Sequence, residues 1–291
     1  MNLPSQSEVE RRRARVGARR RRQSVSVAAY ALAFVALVAT LFPLYWLVVI
    51  STKIPREAFK TPPQLIYVPD FSKFVSIWNT GDFGHAFFNS VIVVGVGVVL
   101  ALVVATPAAY AMTQFRIRRL RWLKVWLLVA YMSPEFLFAI PMYVLYQQVG
   151  LFDTAIGLAF VYQVFALPFA VWLMQAFFAE VPRELGDAAR IDGCSHLQAL
   201  RRVYLPLAAP GLAATAILVG IAMWNEVTIA LALTFDQGKT VQIAVAGYRG
   251  YAAVRWQEMA AAAMTAVVPM LVFAGLAQRY IVKGLTFGAV K

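Results

Sequence analysis

The chain has 291 residues, of which 61% are hydrophobic and 14% are charged, and its formal net charge is +13. Soluble domains carry about a quarter charged residues, so this composition excludes an ordinary soluble domain and favours a helical membrane protein. The single cysteine, Cys194, excludes an intramolecular disulfide, and the wide separation of His85 and His196 argues against a histidine metal site.

A run of arginines near the N-terminus accounts for much of the positive charge. It consists of Arg11, Arg12, Arg13, Arg15, Arg19, Arg20, Arg21 and Arg22. The run leads directly into an apolar segment, which is the pattern of the positive-inside rule and not of a nucleic-acid-binding protein. We therefore expect residues 1–24 to form a basic cytoplasmic tail near anionic lipid, and we predict no nucleic-acid partner.

Six apolar runs follow, and each is long enough to cross the roughly 30 Å hydrocarbon core of a bilayer. The predicted spans cover residues 25–50, 86–112, 122–147, 153–178, 207–233 and 259–282. Most of the 27 Lys and Arg residues fall in segments that a cytoplasmic N-terminus places inside. The sequence therefore predicts an all-α polytopic membrane protein in which residues 25–291 form a six-helix domain with both termini cytoplasmic.

The cytoplasmic segment between the fourth and fifth spans, residues 181–206, is polar and mixed in charge, unlike the apolar runs around it. Pro182 suits a first helical position, and Glu184 and Asp187 in the first turns complement the positive end of the helix dipole. Gly193 is expected to end this helix, because glycine favours the left-handed conformation found at helix C-termini. The first half of the segment is thus a predicted short helix.

A second helix is predicted in the same segment. Ser195 followed by Gln198 is a capping-box pattern that starts a helix, and Leu205-Pro206 is expected to end it. Its apolar residues recur at helical spacing at Leu197, Leu200 and Tyr204. From local physics alone, two interpretations of this helix pair stay open: an interfacial helix that rests on lipid, or a surface that is held by a soluble partner.

Several residues of this segment stand at a fixed spacing. Asp187-Ala188-Ala189 is followed after three residues by Gly193, and after nine more by Val203-x-Leu205-Pro206. This pattern resembles the EAA loop of ABC-importer permeases, whose usual form is Glu-Ala-Ala-x3-Gly-x9-Ile-x-Leu-Pro. The two departures, Asp187 for Glu and Val203 for Ile, are conservative, and the spacing is intact.

Other parts of the chain carry further motifs. They are residues Phe42–Trp46, Asn89-Ser90, Thr106–Ala111, Gly150–Thr154, Trp224-Asn225-Glu226 and the tail Gly284–Lys291. These segments resemble the carbohydrate-type branch of the family, specifically the maltose-permease-like second subunit. The resemblance therefore covers nearly everything after the basic tail, and it implies the type I ABC-importer permease fold.

The resemblance also implies a mechanism and a set of partners. In this family the EAA loop forms a coupling helix that docks on a cytoplasmic ATPase, and closure of two ATPases switches the permease between inward and outward access. The implied partners are a second homologous permease, the ATPase dimer and an extracytoplasmic sugar-binding protein in a prokaryotic plasma membrane. ATP and Mg²⁺ would be bound by the ATPase, so we expect this chain to bind no cofactor and not to be an enzyme.

The resemblance assigns residues of the 181–206 loop to coupling with the ATPase. They are Glu184, Asp187, Ala188, Ala189, Asp192, Gly193, Leu205 and Pro206. Small alanines would let the coupling helix sit close to its partner, and the glycine would permit the bend.

A second candidate site is the polar triplet Trp224, Asn225 and Glu226 at the fifth span. A carboxylate at bilayer depth is costly and usually faces a cavity or a partner. One interpretation is that the triplet lines a sugar path, since sugars are held by aromatic stacking and amide hydrogen bonds. The favoured interpretation is that Asn225 and Glu226 bond neighbouring helices and hold a kink, because related importers can place substrate contacts on the other permease subunit.

The sequence leaves three alternatives to a sugar permease. Within the same family, the second choice is a permease for a polyol or glycerol phosphate. An ion-coupled secondary transporter fits less well, because the predicted spans contain few ionisable residues. A membrane enzyme is disfavoured because no nucleophile and base occur together in the sequence.

Overall fold

The computed structural model describes residues 6–54, 60, 67–79, 82–115, 120–250 and 254–287. Within these residues the chain is helical apart from short connections and one isolated bridge between Arg249 and Val254. The prediction of an all-α protein is therefore confirmed for the part of the chain that the structure describes.

The helices follow one another with short connections. In chain order they are α1 (Gln6–Thr52), α2 (Ser72–Asn79), α3 (Phe83–Gln114), α4 (Leu120–Met132), α5 (Phe136–Val149), α6 (Ala155–Val161), α7 (Gln163–Glu180), α8 (Arg183–Ile191), α9 (His196–Leu207), α10 (Ala209–Trp224), α11 (Thr228–Leu233), α12 (Val241–Gly247) and α13 (Trp256–Phe287). Within α9, residues Leu200–Tyr204 form a π-helical turn.

Four of the described helical segments are long and apolar enough to cross a membrane unbroken. They are Ala29–Thr52 in α1, α3, α7 and Trp256–Gln278 in α13. The number becomes six when each of two bent helix pairs is taken as one span: α4 with α5, bent by 92°, and α9 with α10, bent by 79°.

Three predicted spans differ from the observed helices. The third, predicted as continuous over 122–147, is broken at Ser133–Glu135, where Pro134 cannot donate a backbone hydrogen bond. The fourth, predicted over 153–178, has its long helix only from Gln163. The fifth was predicted over 207–233, but its long helix, α10, ends at Trp224. Hydropathy does not detect these breaks, because the residues on both sides remain apolar.

Helix α3 is the centre of the bundle and packs against α6, α7, α10 and α12. Its contact face is built from small residues one turn apart, Gly97, Ala101, Ala105 and Ala109, and the three alanines are fully buried. A Cβ atom at Gly97 would lie 2.7 Å from the sulfur of Met223, so a larger residue there would force the Met223 side chain to move. Small residues at such spacing let helix backbones approach closely inside a membrane.

Candidate functional site

The 181–206 segment forms two helices that lie between the long helices α7 and α10. Helix α8 starts at Arg183, so Pro182 precedes the first helical residue instead of occupying that position. Gly193 ends α8 as predicted, with a left-handed backbone (φ of 87°). The backbone N–H of Cys194 donates to the carbonyl oxygen of Ala189 at 2.9 Å, which closes the end of the helix.

The predicted capping box at the start of α9 is confirmed. The backbone N–H of Gln198 donates to Ser195 Oγ at 3.3 Å, and the backbone N–H of Ser195 donates to Gln198 Oε1 at 2.8 Å. The predicted end of this helix at Leu205-Pro206 lies one residue from the observed end: α9 ends at Leu207, and the chain bends at Ala208. The π-helical turn before Pro206 widens the backbone there, which accommodates the proline ring within the helix.

Helix α8 exposes mostly polar residues together with two large apolar side chains, Leu185 and Ile191. Glu184, Asp187, Ala188 and Asp192 are exposed, and Ile191 is 87% exposed. Ala189, in contrast, is buried against the rest of the chain, so the two alanines of the predicted coupling motif point in different directions. Of the remaining predicted coupling residues, Gly193 follows α8 and is exposed. Leu205 and Pro206 lie near the end of α9, where Leu205 is half-buried and Pro206 is exposed.

The inner face of α8 is fastened to the membrane bundle. A Cβ atom at Gly186 would overlap the side chain of Tyr204, whose ring in turn packs 5.0 Å from that of Tyr110 and 6.2 Å from that of Phe178. The guanidinium of Arg183 donates to the carbonyl oxygen of Thr113 at the end of α3, at 3.2 Å. Helix α8 is therefore in close contact with α3, directly and through Tyr204, and Tyr204 also contacts α7.

Gly186→Ala should destabilise the attachment of α8. The added methyl group would meet the Tyr204 ring, and overpacking of this kind costs about 1–3 kcal/mol. We expect a lower melting temperature of the purified protein, with partial recovery in Gly186→Ala/Tyr204→Leu. Gly247→Ala is the matched control, because nothing lies within 4 Å of a Cβ there. Equal melting temperatures for the two single variants would contradict this packing.

A cavity of about 450 Å³ lies where the two broken spans meet. The α4–α5 bend contributes one wall, α7 a second, and the break between α10 and α11 a third. Its lining includes Tyr131, Glu135, Phe165, Phe169, Asn225 and Glu226. Helix α10 has 16 residues, so about 24 Å separates this cavity from the bend at Ala208. That distance is most of the hydrocarbon thickness.

The Glu226 carboxylate caps the short helix α11. It is 6% exposed and accepts hydrogen bonds from the backbone N–H groups of Ile229 at 2.8 Å and Ala230 at 3.1 Å. The carboxylate of Glu226 also lies beside Glu135 and Tyr162 of neighbouring segments, so it contacts the residues just after it by these two bonds and other helices as well. These two bonds hold the backbone where α10 gives way to α11.

The structure separates the other two residues of the triplet. Trp224 is 3% exposed, and its indole N–H donates to the carbonyl oxygen of Ala266 in α13 at 3.2 Å, away from the cavity. Asn225 is exposed and lines the cavity. Its amide donates to the carbonyl oxygen of Ile221 in its own helix at 2.9 Å and to Sδ of Met270 in the neighbouring helix α13 at 3.5 Å.

Glu135 belongs to the same cavity but was not singled out from the sequence. Its carboxyl group lies close to that of Glu226, although 91 positions separate them along the chain. A signal was present: an acidic residue next to Ser133-Pro134 inside an otherwise apolar run. Ionisable residues within spans usually mark functional sites.

Two segments that resemble the permease family, Asn89-Ser90 and Gly150–Thr154, both contact the 234–241 loop at one end of the bundle. Asp153 has a left-handed backbone (φ of 55°), and its carboxylate accepts from the backbone N–H groups of Phe235, Asp236, Gln237 and Gly238 at 2.8–3.1 Å. The amide of Asn89 donates to the carbonyl oxygens of Gln237 and Lys239, and Ser90 Oγ accepts from the N–H of Val241. The 234–241 loop is thus fixed by both segments.

The electrostatics of this loop follow from those contacts. Burial acts to raise the pKa of Asp153, but hydrogen bonds from four backbone N–H groups outweigh it, so the pKa lies below its usual value. Burial likewise acts to lower the pKa of Lys239, and its contacts with Asp236 and Asp82, both at 3.2 Å, raise it overall.

Asp153→Asn should loosen the 234–241 loop, because the amide NH₂ would face backbone donors and the charge would be lost. We expect a loss of about 2 kcal/mol in stability at pH 7. The lowered pKa means that the carboxylate stabilises the fold above about pH 4 and loses this effect as the pH falls through its folded pKa. The difference in melting temperature from the unchanged protein should therefore shrink as the pH is lowered. Asp192→Asn, at an exposed site, is the control; a pH-independent difference would contradict the assignment.

Comparison with known proteins identifies the family. The model of the binding-protein-dependent transport system inner membrane component matches residues 97–287. The chain is 36% identical to the trehalose transport system permease protein of Mycobacterium tuberculosis, covering 86% of this chain and 92% of that protein. It is 31% identical to the trehalose/maltose transport system permease protein of Thermococcus litoralis, covering 86% and 91%.

Solved structures show the same fold. A chain of a bacterial ABC transporter for import of the acidic polysaccharide alginate aligns over 96% of this chain and 99% of its own, with a TM-score of 0.73 and 21% identity. A chain of the MetNI methionine ABC transporter aligns over 69% and 95%, with a TM-score of 0.58 and 20% identity. At these identities the likeness concerns the fold alone. Taken with the family match, the chain belongs to the binding-protein-dependent transport system inner membrane components, the permeases of ABC importers.

Proposed function

We propose that this chain is a permease subunit of an ATP-driven, binding-protein-dependent sugar importer. The observation that carries the proposal is helix α8, which exposes Glu184, Asp187, Ala188 and Ile191 while its inner face is fastened to α3 and α7. A helix of this kind is suited to receive force from a docked partner. The sugar assignment is supported by the trehalose and trehalose/maltose permeases to which the chain is similar.

The proposed partner at α8 is a cytoplasmic ATPase dimer, which would bind ATP and Mg²⁺ and hydrolyse the nucleotide. An exposed isoleucine beside acidic residues favours a protein partner over open solvent, because large apolar side chains are enriched where partners dock. In this account residues 181–206 are the coupling loop, and the exposed Ala188, not the buried Ala189, is in contact with the ATPase.

The proposed topology places both termini in the cytoplasm of a prokaryote, with residues 1–24 as the basic tail and 25–291 as the permease domain of the plasma membrane. The support is the positive-inside bias, which places the arginine run and the α8–α9 pair on the same side. The 234–241 loop would then lie on the outer face, where an extracytoplasmic sugar-binding protein can reach it.

The proposed translocation pathway is shared with a second, homologous permease. Glu135 and Asn225 lie on an open cavity at bilayer depth, where contact with lipid would leave polar groups unsatisfied. We therefore propose that this cavity faces the second permease across the pathway. Asn225 would contact the sugar directly, while Trp224 and Glu226 support the backbone around it.

Uptake in membrane vesicles that contain the complete transporter and its binding protein tests this function. We expect sugar uptake that requires internal ATP, is inhibited by vanadate and persists when ionophores collapse the proton and sodium gradients. Uptake that is abolished by ionophores and unaffected by vanadate would instead indicate an ion-coupled secondary transporter.

A further inference from the structure

The cavity at the meeting point of the broken spans has a definite chemical character. Its volume of about 450 Å³ falls within the range of small-molecule sites, about 300–1,000 Å³. Tyr131 and Phe169 stack on each other with ring centroids 5.7 Å apart and planes inclined by 11°. Flat aromatic surfaces of this kind pack against the C–H faces of sugar rings, and Asn225 supplies an amide beside them.

The charge in this cavity is negative. Glu135 and Glu226 both line it, and among the described residues no Lys, Arg or His does. The two oxygens of Glu226 are used by the N–H groups of Ile229 and Ala230. Glu135 has no such backbone donors among the described hydrogen bonds; its carboxyl group lies beside that of Glu226, and the oxygen that is turned away from Glu226 can accept from a molecule inside the cavity.

A buried hydroxyl supports the assignment of a polar site here. Tyr162 is fully buried, and its hydroxyl approaches the carboxyl groups of Glu226 and Glu135 without completing a well-formed hydrogen bond. Buried hydroxyls normally have partners, and an unsatisfied one costs stability. A polar cluster with spare hydrogen-bonding capacity is what a site for a hydroxyl-bearing ligand requires.

We propose that this cavity binds a neutral or positively charged polyhydroxylated molecule, that Glu135 accepts hydrogen bonds from its hydroxyl groups, and that the site rejects sugars that carry carboxylate, sulfate or phosphate. The inference rests on the proposed sugar-import function and adds the charge class of the cargo. An anionic group placed beside these carboxyl groups would meet like charge in a region of low dielectric constant, where such contacts are strongly unfavourable.

Two measurements on the complete transporter test the proposal. First, the sugar retained by the co-purified binding protein is released and its charge is determined by mass spectrometry; a neutral or cationic sugar is expected, and an anionic one would overturn the proposal. Second, uptake of that identified sugar is compared in Glu135→Gln, Glu135→Lys and the control Glu180→Gln, whose side chain is exposed at the end of α7. We expect uptake to fall about 10-fold in Glu135→Gln and further in Glu135→Lys, with the control unchanged.

The outcomes separate this proposal from the function on which it rests. No ATP-dependent uptake by the unchanged transporter would refute the import function itself. Normal uptake by the unchanged transporter and by both Glu135 variants would refute only the role of Glu135. Assembly is checked by co-purification of the ATPase, and if a variant does not assemble, the measured charge of the native cargo still decides the charge class.

Discussion

Gly193→Val should abolish ATP-dependent sugar uptake while the subunit remains inserted in the membrane. Gly193 has a φ of 87°, and no atom lies within 4 Å of a Cβ at this position, so the effect would arise from the backbone and not from crowding. A side chain in the left-handed region costs about 1–2 kcal/mol, and more for a β-branched residue. Relief of that strain would turn α8 relative to α9 and displace the exposed face that docks on the ATPase.

Gly193→Asn is the matched control for this prediction. Asparagine tolerates the left-handed conformation far better than valine, and the open space around the position admits its side chain. We expect the Asn variant to retain most of the uptake. Membrane insertion of both is measured by fractionation, and normal sugar uptake by the Val variant would contradict the coupling role of the loop.

Glu226→Ala should produce the largest loss of stability among single substitutions in the spans. It would leave the buried N–H groups of Ile229 and Ala230 without acceptors, and each unsatisfied donor costs about 1–3 kcal/mol. The expected total of about 2–6 kcal/mol is large beside the usual stability of a folded domain. We expect a marked fall in the melting temperature and in the yield of assembled transporter.

Two further variants refine this result. Glu226→Gln keeps one carbonyl oxygen and should be intermediate in stability. Asn225→Ala removes an exposed bond within α10 and a contact with Met270 Sδ of α13; once co-purification of the ATPase shows that the variant assembles, its uptake reports on sugar contact. A Glu226→Ala protein as stable as the unchanged one would show that the cap does not hold the α10–α11 break.

Local signals explain why the α8–α9 pair was predictable from sequence. A glycine at a helix end and a Ser-x-x-Gln cap act within a few residues, so Gly193, Ser195 and Gln198 each appear where expected. The end of α9 was predicted to within one residue, but the π-helical turn before Pro206 was not predicted, because it has no clear sequence signature. The outward and inward orientation of Ala188 and Ala189 depends on packing against Tyr204 and its neighbours, which local patterns do not reveal.

Long-range contacts explain what the sequence could not provide. The apolar runs predicted where the chain enters the membrane, but breaks such as Ser133–Glu135 preserve mean hydropathy and are therefore invisible to it. The cavity requires Glu135 and Glu226 to be brought together by tertiary packing. Likewise, the hydrogen bonds from the 234–241 loop to the Asp153 carboxylate join segments more than 80 positions apart. The motifs therefore indicated the family but did not reveal these contacts.

Site-specific cross-linking from α8 tests the central claim most directly. In a Cys194→Ser background, a cysteine at the exposed Ala188 or at the buried Ala189 is labelled with a photoactivatable maleimide in the assembled transporter. The account predicts a cross-link to the ATPase subunit from position 188 and little or none from position 189. Absence of an ATPase cross-link from position 188, in a complex that still hydrolyses ATP and transports sugar, would contradict it.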